Sequence, residues 1–543
     1  MKKKLLSAAL AAAMCMGLAA GASAEEAAEK VFRYSTTAEP TTLDPSKVNA
    51  ISDNEIQHAA TESLVRNTAG DVQPGLAESW EVSEDGLTYT FHLRESSWSD
   101  GQPIVAGDFV YSFQRLMNPE TASLYAFIGE CIKNGSAVEA GELPVEELGV
   151  SAPDDSTLVI ELEAPTSYFL SMIGSQAQFA PLRQDIVEQY GADFAATADK
   201  NVYSGPFVIS NTDNKVVTFE PNEYYWNRDA INWDRVELYT VEEQATALAM
   251  CESGDLDYAR IPTEQVALYE GDSRHHEYMN GNEDYLYINV GSEDCPILAN
   301  KNFRMALNYA LDRNTYIALA TSNVYLPSNT LVMPLVAGVN STYGEEFDLT
   351  ESSYPLDGDA AKALEFLNAA LEEEGIASAS DVTVEFVTTD NETNKKIAEV
   401  IQEMWQSVLG INVDIRQVTY GEIYSTVYPT SDYQVGYAGW GPDYSDPYSY
   451  LGLFESTFTS YGTNYSNPEV DEYLAYAKTE PDAQKRMEAL NNAEKLILDD
   501  AAFVPLQCRQ DHYLMDEDVT GVEFYFCSVN IDWIYGDIAA DAQ

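Results

Sequence analysis

Apolar and polar residues alternate in several short stretches of the chain, and a period of two residues is typical of a half-buried β-strand. In LTYTFHLR, residues 87–94, every second side chain from Leu87 onward is apolar. STLVIELEAP, residues 156–165, predicts a further strand, which ends at Pro165. The first third of the chain is therefore predicted to contain β-strands.

A strand, a helix and a second strand are predicted in direct succession between residues 381 and 418. DVTVEFVTT places Val382, Val384 and Phe386 on one strand face. The following TNKKIAEVIQEMWQSVLG carries apolar side chains at helical spacing and ends at Gly410, a residue type common at helix ends. INVDIRQV then alternates again. Strand, helix and strand with short joints form a βαβ crossover, which predicts parallel pairing in an α/β domain.

The strand predicted in YQVGYAGW, residues 433–440, runs directly into the loop GWGPDYSDP, residues 439–447. This loop combines a backbone that is approachable at two glycines, an aromatic plane and an acidic side chain beside a proline. Open α/β sheets commonly bind ligands at the carboxyl ends of their strands. We therefore interpret the loop as a clamp for a positively charged group; a plain surface turn is the alternative, since Asp, Gly and Pro are ordinary turn residues. The clamp residues are Gly439, Trp440, Gly441 and Asp443.

Length and composition indicate a globular protein of several domains. The 543 residues exceed what one hydrophobic core usually organises, so two or three domains are expected. Hydrophobic residues make up 45% and aromatic residues 11% of the chain, which argues against a disordered protein. The formal net charge of −60 argues against binding to nucleic acid or to anionic membrane surfaces, because both would be repelled.

The start of the chain, residues 1–24, has the features of a secretory signal. Lys2–Lys4 form a basic start, an apolar stretch follows, and Ala22-Ser23-Ala24 matches an A-x-A cleavage site. The stretch is too short for a membrane-spanning helix. We therefore expect an exported protein, periplasmic or at the cell surface, that is released by cleavage at Ala24; a lipid anchor at Cys15 is the less favoured alternative.

The spacing of cysteine and histidine gives no indication of a metal site, a disulfide framework or a catalytic centre. Five cysteines remain after residue 24, an odd and scattered set, and whether Cys508 and Cys527 pair is left open. His275 and His276 are adjacent, which indicates a loop rather than a metal site. Neither G-x-S-x-G nor H-E-x-x-H occurs. No catalytic residue, metal or cofactor is therefore predicted.

Several segments, in a fixed order along the chain, resemble the oligopeptide- and dipeptide-binding group of the extracellular solute-binding proteins, family 5, which serve peptide ABC importers. The N-terminal part of the resemblance is LAESWEVSEDGLTYTFHLR at residues 76–94, followed by WSDG and DFVYS. TTLDP, YSGPFVI, NEYYWN, KNFRMALNYALDR and GWGPDYSDP complete the set. Because the segments extend from near residue 32 to the C-terminus, the resemblance covers essentially the whole mature chain.

The resemblance implies an α/β fold of the periplasmic-binding-protein type II kind, with two lobes, three domains, mixed sheets and a hinge. Domain I would be discontinuous, domain II would be an insertion, and domain III would form the opposing lobe. Hinge closure suits such a layout because a buried ligand must enter and leave. After the signal at residues 1–24, the implied ranges are 25–58, 200–284 and 505–543 for domain I, 59–199 for domain II and 285–504 for domain III.

The resemblance also implies a peptide site. Asp443 would pair with the α-amino group of the peptide, because an ammonium taken out of water must be paired and hydrogen-bonded. Tyr125 would lie near the bound N-terminus. The alternative for Asp443 is that it only caps a turn, and the alternative for Tyr125 and for the strips named below is ordinary core or loop packing. Backbone pairing gives affinity without reading the peptide sequence. The strips implied to pair in this way are Gly439, Trp440 and Gly441 on one side and Asn49, Ala50 and Ile51 on the other.

Three positions depart from the pattern with which some oligopeptide binders hold the C-terminus of the ligand. Where those relatives carry basic residues, this chain has Tyr437, Asn394 and Val427. Ligand length is therefore left open. The carboxylate end would be held by Lys395, Lys396, Arg416 or water, or would be less fixed.

The implied function is that of a monomeric, non-enzymatic receptor, which captures short peptides and delivers them to an integral-membrane ABC permease with its ATPases. Such a receptor needs no cofactor and binds no nucleic acid. One alternative keeps the fold with a different cargo: an oligosaccharide, nickel or a haem-like ligand. Another is a secreted hydrolase, against which the missing motifs argue.

Overall fold

The computed structural model describes residues 29–68, 71–347, 349, 353–527 and 529–539. The predicted signal, its cleavage site at Ala24 and Cys15 lie outside these residues. Within the described ranges, no helix is both long enough and apolar enough to cross a membrane.

The alternating stretches in the first third of the chain form strands, as predicted. They belong to a four-stranded antiparallel sheet in which inward side chains, among them Phe91 and Leu158, are fully buried. This sheet has a hydrophobic core of its own. The order of its strands is Ala77–Val82, Thr88–Leu93, Thr157–Glu161 and Val150–Asp154.

The predicted βαβ crossover is present at Thr383–Thr389, Glu392–Leu409 and Asn412–Val418. The two strands pair in parallel over their full lengths. The Asn391 side chain caps the first turn of the helix, and the helix ends at Gly410, where φ is +70°. L side chains rarely adopt this φ, so glycine sets both the helix end and the short joint to the next strand.

An eleven-stranded mixed sheet forms the centre of the molecule. The predicted strand at residues 433–440 is present as Val435–Trp440 and lies inside this sheet. Strands from residues 31–260 form one end of the sheet, and strands from residues 383–440 form the other. The order is Asn412–Val418, Thr383–Thr389, Val435–Trp440, His275–Ile288, Phe503–Met515, Tyr258–Arg260, Val31–Thr36, Arg235–Thr240, Val216–Pro221 and Phe207–Asn211, with Leu326–Pro327 beside Phe503–Met515.

Two long antiparallel strands connect the two ends of this sheet. His275–Ile288 has 14 residues and Phe503–Met515 has 13. Their pairing shifts register between Met279 and Glu283, beside Gly281 with φ +81°. An irregularity of this kind bends and twists a strand. The implied domain limits at residues 284 and 505 fall inside these two strands. At both limits the chain therefore continues as a β-strand and not as a loop.

The α-helices cover the sheets and bury apolar faces against them. Ile397, Ile401 and Trp405, for example, attach the crossover helix to the core beside the main sheet. Among the described residues, the α-helices are Ile51–Ala60, Ala106–Met117, Gly135–Glu139, Phe169–Ser175, Gln184–Tyr190, Gln244–Ser253, Lys301–Tyr309, Arg313–Ala320, Tyr343–Glu346, Ala360–Glu374, Glu392–Leu409, Tyr420–Glu422, Tyr448–Leu451, Pro468–Thr479 and Ala483–Asp500. Short two-stranded pairs join Val65–Thr68 to Asp71–Pro74, Val519–Thr520 to Asp537–Ile538, and Glu523–Phe524 to Ile531–Asp532.

The expectation that His275 and His276 lie in a loop is wrong. Both begin the strand His275–Ile288, where the Nε2 atom of His275 is 3.0 Å from Nδ1 of His512 on the neighbouring strand. The partner is distant in sequence, so local spacing could not reveal the pairing. Among the described residues, no group of three or more His, Cys, Asp or Glu side chains is placed to hold a metal ion.

Cys508 and Cys527, whose pairing the sequence left open, are both free thiols in buried positions.

Candidate functional site

The loop that follows the strand Val435–Trp440 is fixed by hydrogen bonds to its backbone. The indole Nε1 of Trp440 donates to the Ser449 carbonyl at 2.8 Å, and the amide of Asp443 donates to the Ser449 hydroxyl at 3.0 Å. The side-chain amide of Gln176 donates to the Asp443 carbonyl at 2.7 Å. Both backbone polar groups of Asp443 are therefore held, which gives its carboxylate a defined position.

The second aspartate of the loop has a structural role. Asp446 is buried and forms a two-pronged ion pair with Arg486, with N–O distances of 2.7 and 2.9 Å. Arg486 lies on the helix Ala483–Asp500 and also donates to the Ala477 carbonyl at 3.0 Å. This pair ties the loop to the helix.

The Asp443 carboxylate lies in a cleft without a cationic partner. Its Oδ1 accepts a 3.4 Å hydrogen bond from the Tyr125 hydroxyl, and no Lys, Arg or His among the described residues forms an ion pair with it. Burial raises the pKa of Asp443 to about 6, and the hydrogen bond from Tyr125 offsets part of that increase. A half-buried carboxylate without a counter-ion favours a ligand that brings a positive charge.

The residues predicted for the site surround one cavity of about 280 Å³ at the carboxyl end of the strand Val435–Trp440. They come from three separate parts of the chain. One group lies at the start of the helix Ile51–Ala60, one belongs to a short segment after the helix Ala106–Met117, and one is the loop itself. The cavity is lined by Asn49, Ala50, Ile51, Tyr125, Gly439, Trp440, Gly441 and Asp443, together with further residues.

The strand Val435–Trp440 has a free edge that ends at this cavity. Along one edge it pairs over its full length with His275–Ile288. Along the other edge only its first two residues pair, with Thr383–Thr389. The carbonyl of the next residue, Tyr437, accepts a 2.8 Å hydrogen bond from the Tyr428 hydroxyl. Beyond this point the edge has no strand neighbour among the described residues. Such an edge can accept an extended chain.

The facing strip is only partly available for backbone pairing. Ala50 has an extended conformation, with φ −133° and ψ 148°, but its carbonyl accepts the Asn54 amide at 3.0 Å as part of the helix start. Asn49 forms no backbone–backbone hydrogen bond within the described part of the chain. The backbone of Asn49 is thus available for pairing on this side, whereas the neighbouring carbonyl of Ala50 already accepts a hydrogen bond.

A second cavity, of about 710 Å³, adjoins the first and shares Trp440 and Asp443 with it. Its wall is mainly aromatic and apolar. Tyr168 stacks on Tyr444 there, with ring centroids 4.5 Å apart. A group held at Asp443 therefore has room beside it for a large apolar side chain.

The basic side chains considered for the carboxylate end of the ligand line neither cavity. Arg416 is already engaged, because it pairs with Glu385 at 3.0 Å and with Asp432 at 3.1 Å. Lys395 and Lys396 lie on the crossover helix. Their positions do not support these three residues as holders of the carboxylate end, so that water or a less fixed end remains of the alternatives named above.

Sequence reasoning missed one charged pair beside the cavity. Asp284 is fully buried on the strand His275–Ile288, and Arg509 on Phe503–Met515 binds it with N–O distances of 2.8–3.0 Å. Gly439 lies against this pair, since a Cβ at Gly439 would be 3.1 Å from Nη2 of Arg509. The acid and the arginine are 225 positions apart, and only the pairing of the two long strands brings them together.

Comparisons with known proteins agree over most of the chain. Residues 71–462 match the family described as bacterial extracellular solute-binding proteins, family 5 Middle. The oligopeptide-binding protein OppA of Bacillus subtilis (strain 168) is 30% identical over 495 residues, which cover 89% of this chain and 88% of that relative.

Two solved structures have the same fold. The substrate-binding domain of an oligopeptide ABC transporter from Bacillus anthracis str. Ames has a TM-score of 0.77 at 32% identity, covering 94% of this chain and 99% of that one. Listeria monocytogenes OppA bound to peptide has a TM-score of 0.75 at 28% identity, with the same two coverages. The predicted α/β fold of the type II periplasmic-binding-protein kind is thereby confirmed.

Proposed function

Because the chain belongs to the bacterial extracellular solute-binding proteins of family 5, we propose that it is a receptor that captures short peptides outside the cytoplasm. Members of this family bind solutes and are not enzymes, and this chain is not an enzyme either. The oligopeptide-binding relative and the peptide-bound Listeria structure support a peptide as the solute.

In this proposal the α-amino group of the peptide pairs with Asp443. The observation that carries it is a fixed, half-buried carboxylate that lines the cavity and has no cationic partner among the described residues. An ammonium would neutralise the charge that burial destabilises, and the charged hydrogen bond would be stronger than a neutral one. Tyr125 holds the carboxylate in place from the other side.

The peptide main chain pairs with the free edge of the strand Val435–Trp440 and with the backbone of Asn49. The edge is open after Tyr437, and Gly439 and Gly441 line the cavity beside it. Affinity from main-chain bonds does not depend on the peptide sequence. The receptor then delivers its cargo as a monomer to a membrane permease with its ATPases.

The test is isothermal titration with trialanine and with N-acetyl-trialanine. We expect the free-amino peptide to bind the parent protein and the acetylated peptide to bind on the order of 100-fold more weakly, because Asp443 would remain buried and unpaired. Asp443→Asn should remove this preference. Asp390→Asn, which changes an exposed carboxylate outside both cavities, serves as the matched control. Equal affinity of the parent for both peptides would refute the role of Asp443.

The same kind of titration distinguishes a peptide from a different cargo. Chitotriose and Ni²⁺ should give no heat of binding, since the cleft carboxylate favours an organic cation and no metal-holding cluster occurs among the described residues. Tight binding of either probe, with none for trialanine, would replace the peptide by that solute. Recovery of intact trialanine after long incubation excludes hydrolysis.

A further inference from the structure

A small cavity of about 140 Å³ adjoins the cavity at Asp443 and shares Ile51 and Asn530 with it. We call it the side cavity. Ile51 is 47% exposed, so the boundary between the two cavities is an exposed side chain and not packed core. A side chain of a peptide held at Asp443 can therefore enter the side cavity. Its walls come from the strands Val31–Thr36 and Tyr258–Arg260 and from the first turns of the helices Ile51–Ala60 and Gln244–Ser253.

We propose that the side cavity binds a cationic side chain of the peptide, with the Glu55 carboxylate as its anionic partner and the Tyr34 hydroxyl as a further hydrogen-bonding group. This inference rests on the proposed function and names a preferred substrate class: peptides that carry a lysine-like side chain at one position.

The hydroxyl of Tyr34, a residue of the side-cavity wall, is buried without a partner. The residue is 1% exposed, and its hydroxyl forms no hydrogen bond of ordinary geometry with any described residue. Burial, and to a smaller extent the nearby Glu55 charge, raises the pKa of Tyr34, so the hydroxyl stays protonated. Because an unsatisfied buried polar group is costly, this hydroxyl indicates a position where a polar ligand atom would be stabilised.

Glu55 lines the side cavity from the helix Ile51–Ala60 and is half-buried. Its Oε1 accepts the Asn530 amide at 3.1 Å, which holds the carboxylate beside a residue that both cavities share. No Lys, Arg or His among the described residues forms an ion pair with Glu55. Burial raises the pKa of Glu55 to about 7, and the Asn530 amide and the Arg260 charge offset part of that increase. An ammonium beside it would stabilise the charged form.

The cation that lines the side cavity, Arg260, is engaged by another acid. Its guanidinium pairs with Asp511, which also accepts the Tyr278 hydroxyl at 3.0 Å. This ion pair is formally neutral, so ionised Glu55 leaves one net negative charge among the three groups. Charge complementarity therefore favours a cationic over an anionic side chain.

The size of the side cavity suits one side chain. An apolar cavity of about 150 Å³ holds benzene, whereas independent small-molecule ligands occupy pockets of about 300–1,000 Å³. A lysine ammonium has three donors. The carboxylate of Glu55, the hydroxyl of Tyr34 and the polar wall at Ser52 and Gln244 provide acceptors for them.

Isothermal titration with trialanine in which each position in turn carries lysine, norleucine or glutamate tests the proposal. Norleucine has an apolar chain of similar length without the ammonium. At one position lysine should bind at least tenfold more tightly than norleucine, and glutamate should bind no more tightly than norleucine. Glu55→Gln should abolish the lysine preference. Glu399→Gln, which changes an exposed acid outside the cavities, is the matched control and should retain it.

Tyr34→Phe separates a role in binding from a structural one. Removal of an unpaired buried hydroxyl should leave the Tm of the empty protein unchanged or higher, while the lysine preference falls several-fold. A lysine preference that survives Tyr34→Phe in full would remove the hydroxyl from the proposed site.

The charge of the preferred side chain decides the proposal. Equal affinity for lysine and norleucine at all three positions would overturn it, as would a lysine preference that survives Glu55→Gln. A preference for glutamate would assign the side cavity to Arg260 instead. Because the amino end is free in every probe, these outcomes are independent of the test of Asp443. If none of the peptides binds, the proposed function itself fails, and this inference fails with it.

Discussion

At the residue scale, the Asp443 carboxylate lies in surroundings that destabilise its charged form. Its surroundings provide a weak hydrogen bond from Tyr125 and no cation among the described residues, and burial raises its pKa to about 6. A carboxylate with this pKa is ionised only in part under mildly acidic conditions. The raised pKa of Asp443 therefore affects both the affinity for a cationic ligand and the stability of the empty protein.

Affinity for free-amino peptides should fall as the pH drops through 6. Above pH 7 Asp443 is ionised and pairs with the ammonium, whereas below pH 6 a proton competes with the ligand, which lowers affinity by up to about tenfold per pH unit. Titration of trialanine between pH 5 and 8 measures this, and Asp443→Asn should give a flat profile. An equally flat profile for the parent would contradict the pairing.

The empty protein should be stabilised by Asp443→Asn at neutral and higher pH. A carboxyl whose pKa is raised on folding contributes stability below its unfolded pKa of about 3.9, and that stability is lost as the pH rises through about 6. At pH 8 the variant should therefore gain on the order of 2 kcal/mol, and the difference should vanish near pH 4. Urea unfolding followed by tryptophan fluorescence tests this, with Asp390→Asn as a control that leaves the free energy of unfolding unchanged.

Asp443 and Arg509 also show how far sequence reasoning reaches at this scale. Asp443 lies in a contiguous loop whose glycines, tryptophan and prolines mark it as special, and every residue predicted for the site lines one cavity. Arg509 lies in a strand with no distinguishing neighbours, and its partner Asp284 is 225 positions away. An ion pair that forms only through long-range strand pairing leaves no local pattern.

At the element scale, the position of the loop depends on the helix Ala483–Asp500. Arg486 and Asp446 are almost fully buried, and their two-pronged ion pair is the main polar link between the helix and the loop. A buried pair is sensitive to the loss of one partner, since the other charge then remains uncompensated.

Arg486→Met should destabilise the protein by about 3–5 kcal/mol, because Asp446 would remain charged in a buried site. Adding Asp446→Asn should recover a large part of this loss. Free energies of unfolding for the two single variants and the double variant form a cycle that measures the coupling. Independent, additive effects of the two substitutions would show that the pair does not anchor the loop.

Elements with clean local periodicity could be predicted, and those without it could not. The crossover of Thr383–Thr389, Glu392–Leu409 and Asn412–Val418 has the expected pattern and a glycine at the helix end. His275–Ile288 begins with the polar run HHEYMNGNED and contains a register shift near Gly281. Pairing with the neighbouring strands makes this segment a strand. Because its own pattern does not alternate, the sequence indicates a loop at the two histidines.

At the scale of the whole molecule, the two long strands make one sheet continuous between the two ends that flank the cleft. Residues of the cavity come from the segment at the start of the helix Ile51–Ala60, which follows the strand Val31–Thr36, and from the loop after Val435–Trp440. These two strands lie in opposite halves of the sheet. Bending at the irregular pairing between Met279 and Glu283 would change the width of the cleft. The implied hinge and domain ranges remain predictions.

Peptide binding should close and stabilise the molecule. A peptide that contacts residues from separate parts of the sequence binds only the folded chain, and at 100 times its Kd it should add about 2.7 kcal/mol to the free energy of unfolding. Trialanine should raise the Tm and reduce the radius of gyration measured by small-angle X-ray scattering. N-acetyl-trialanine amide, which lacks both charges, is the control and should change neither at the same concentration.

A crystal structure of the protein with trialanine bound would show directly which group binds the amino end of the peptide. We predict the α-amino nitrogen within hydrogen-bonding distance of the Asp443 carboxylate, with the peptide backbone along the free edge at Gly439 and Gly441. A tripeptide bound elsewhere, or bound with its amino group away from Asp443, would contradict the account.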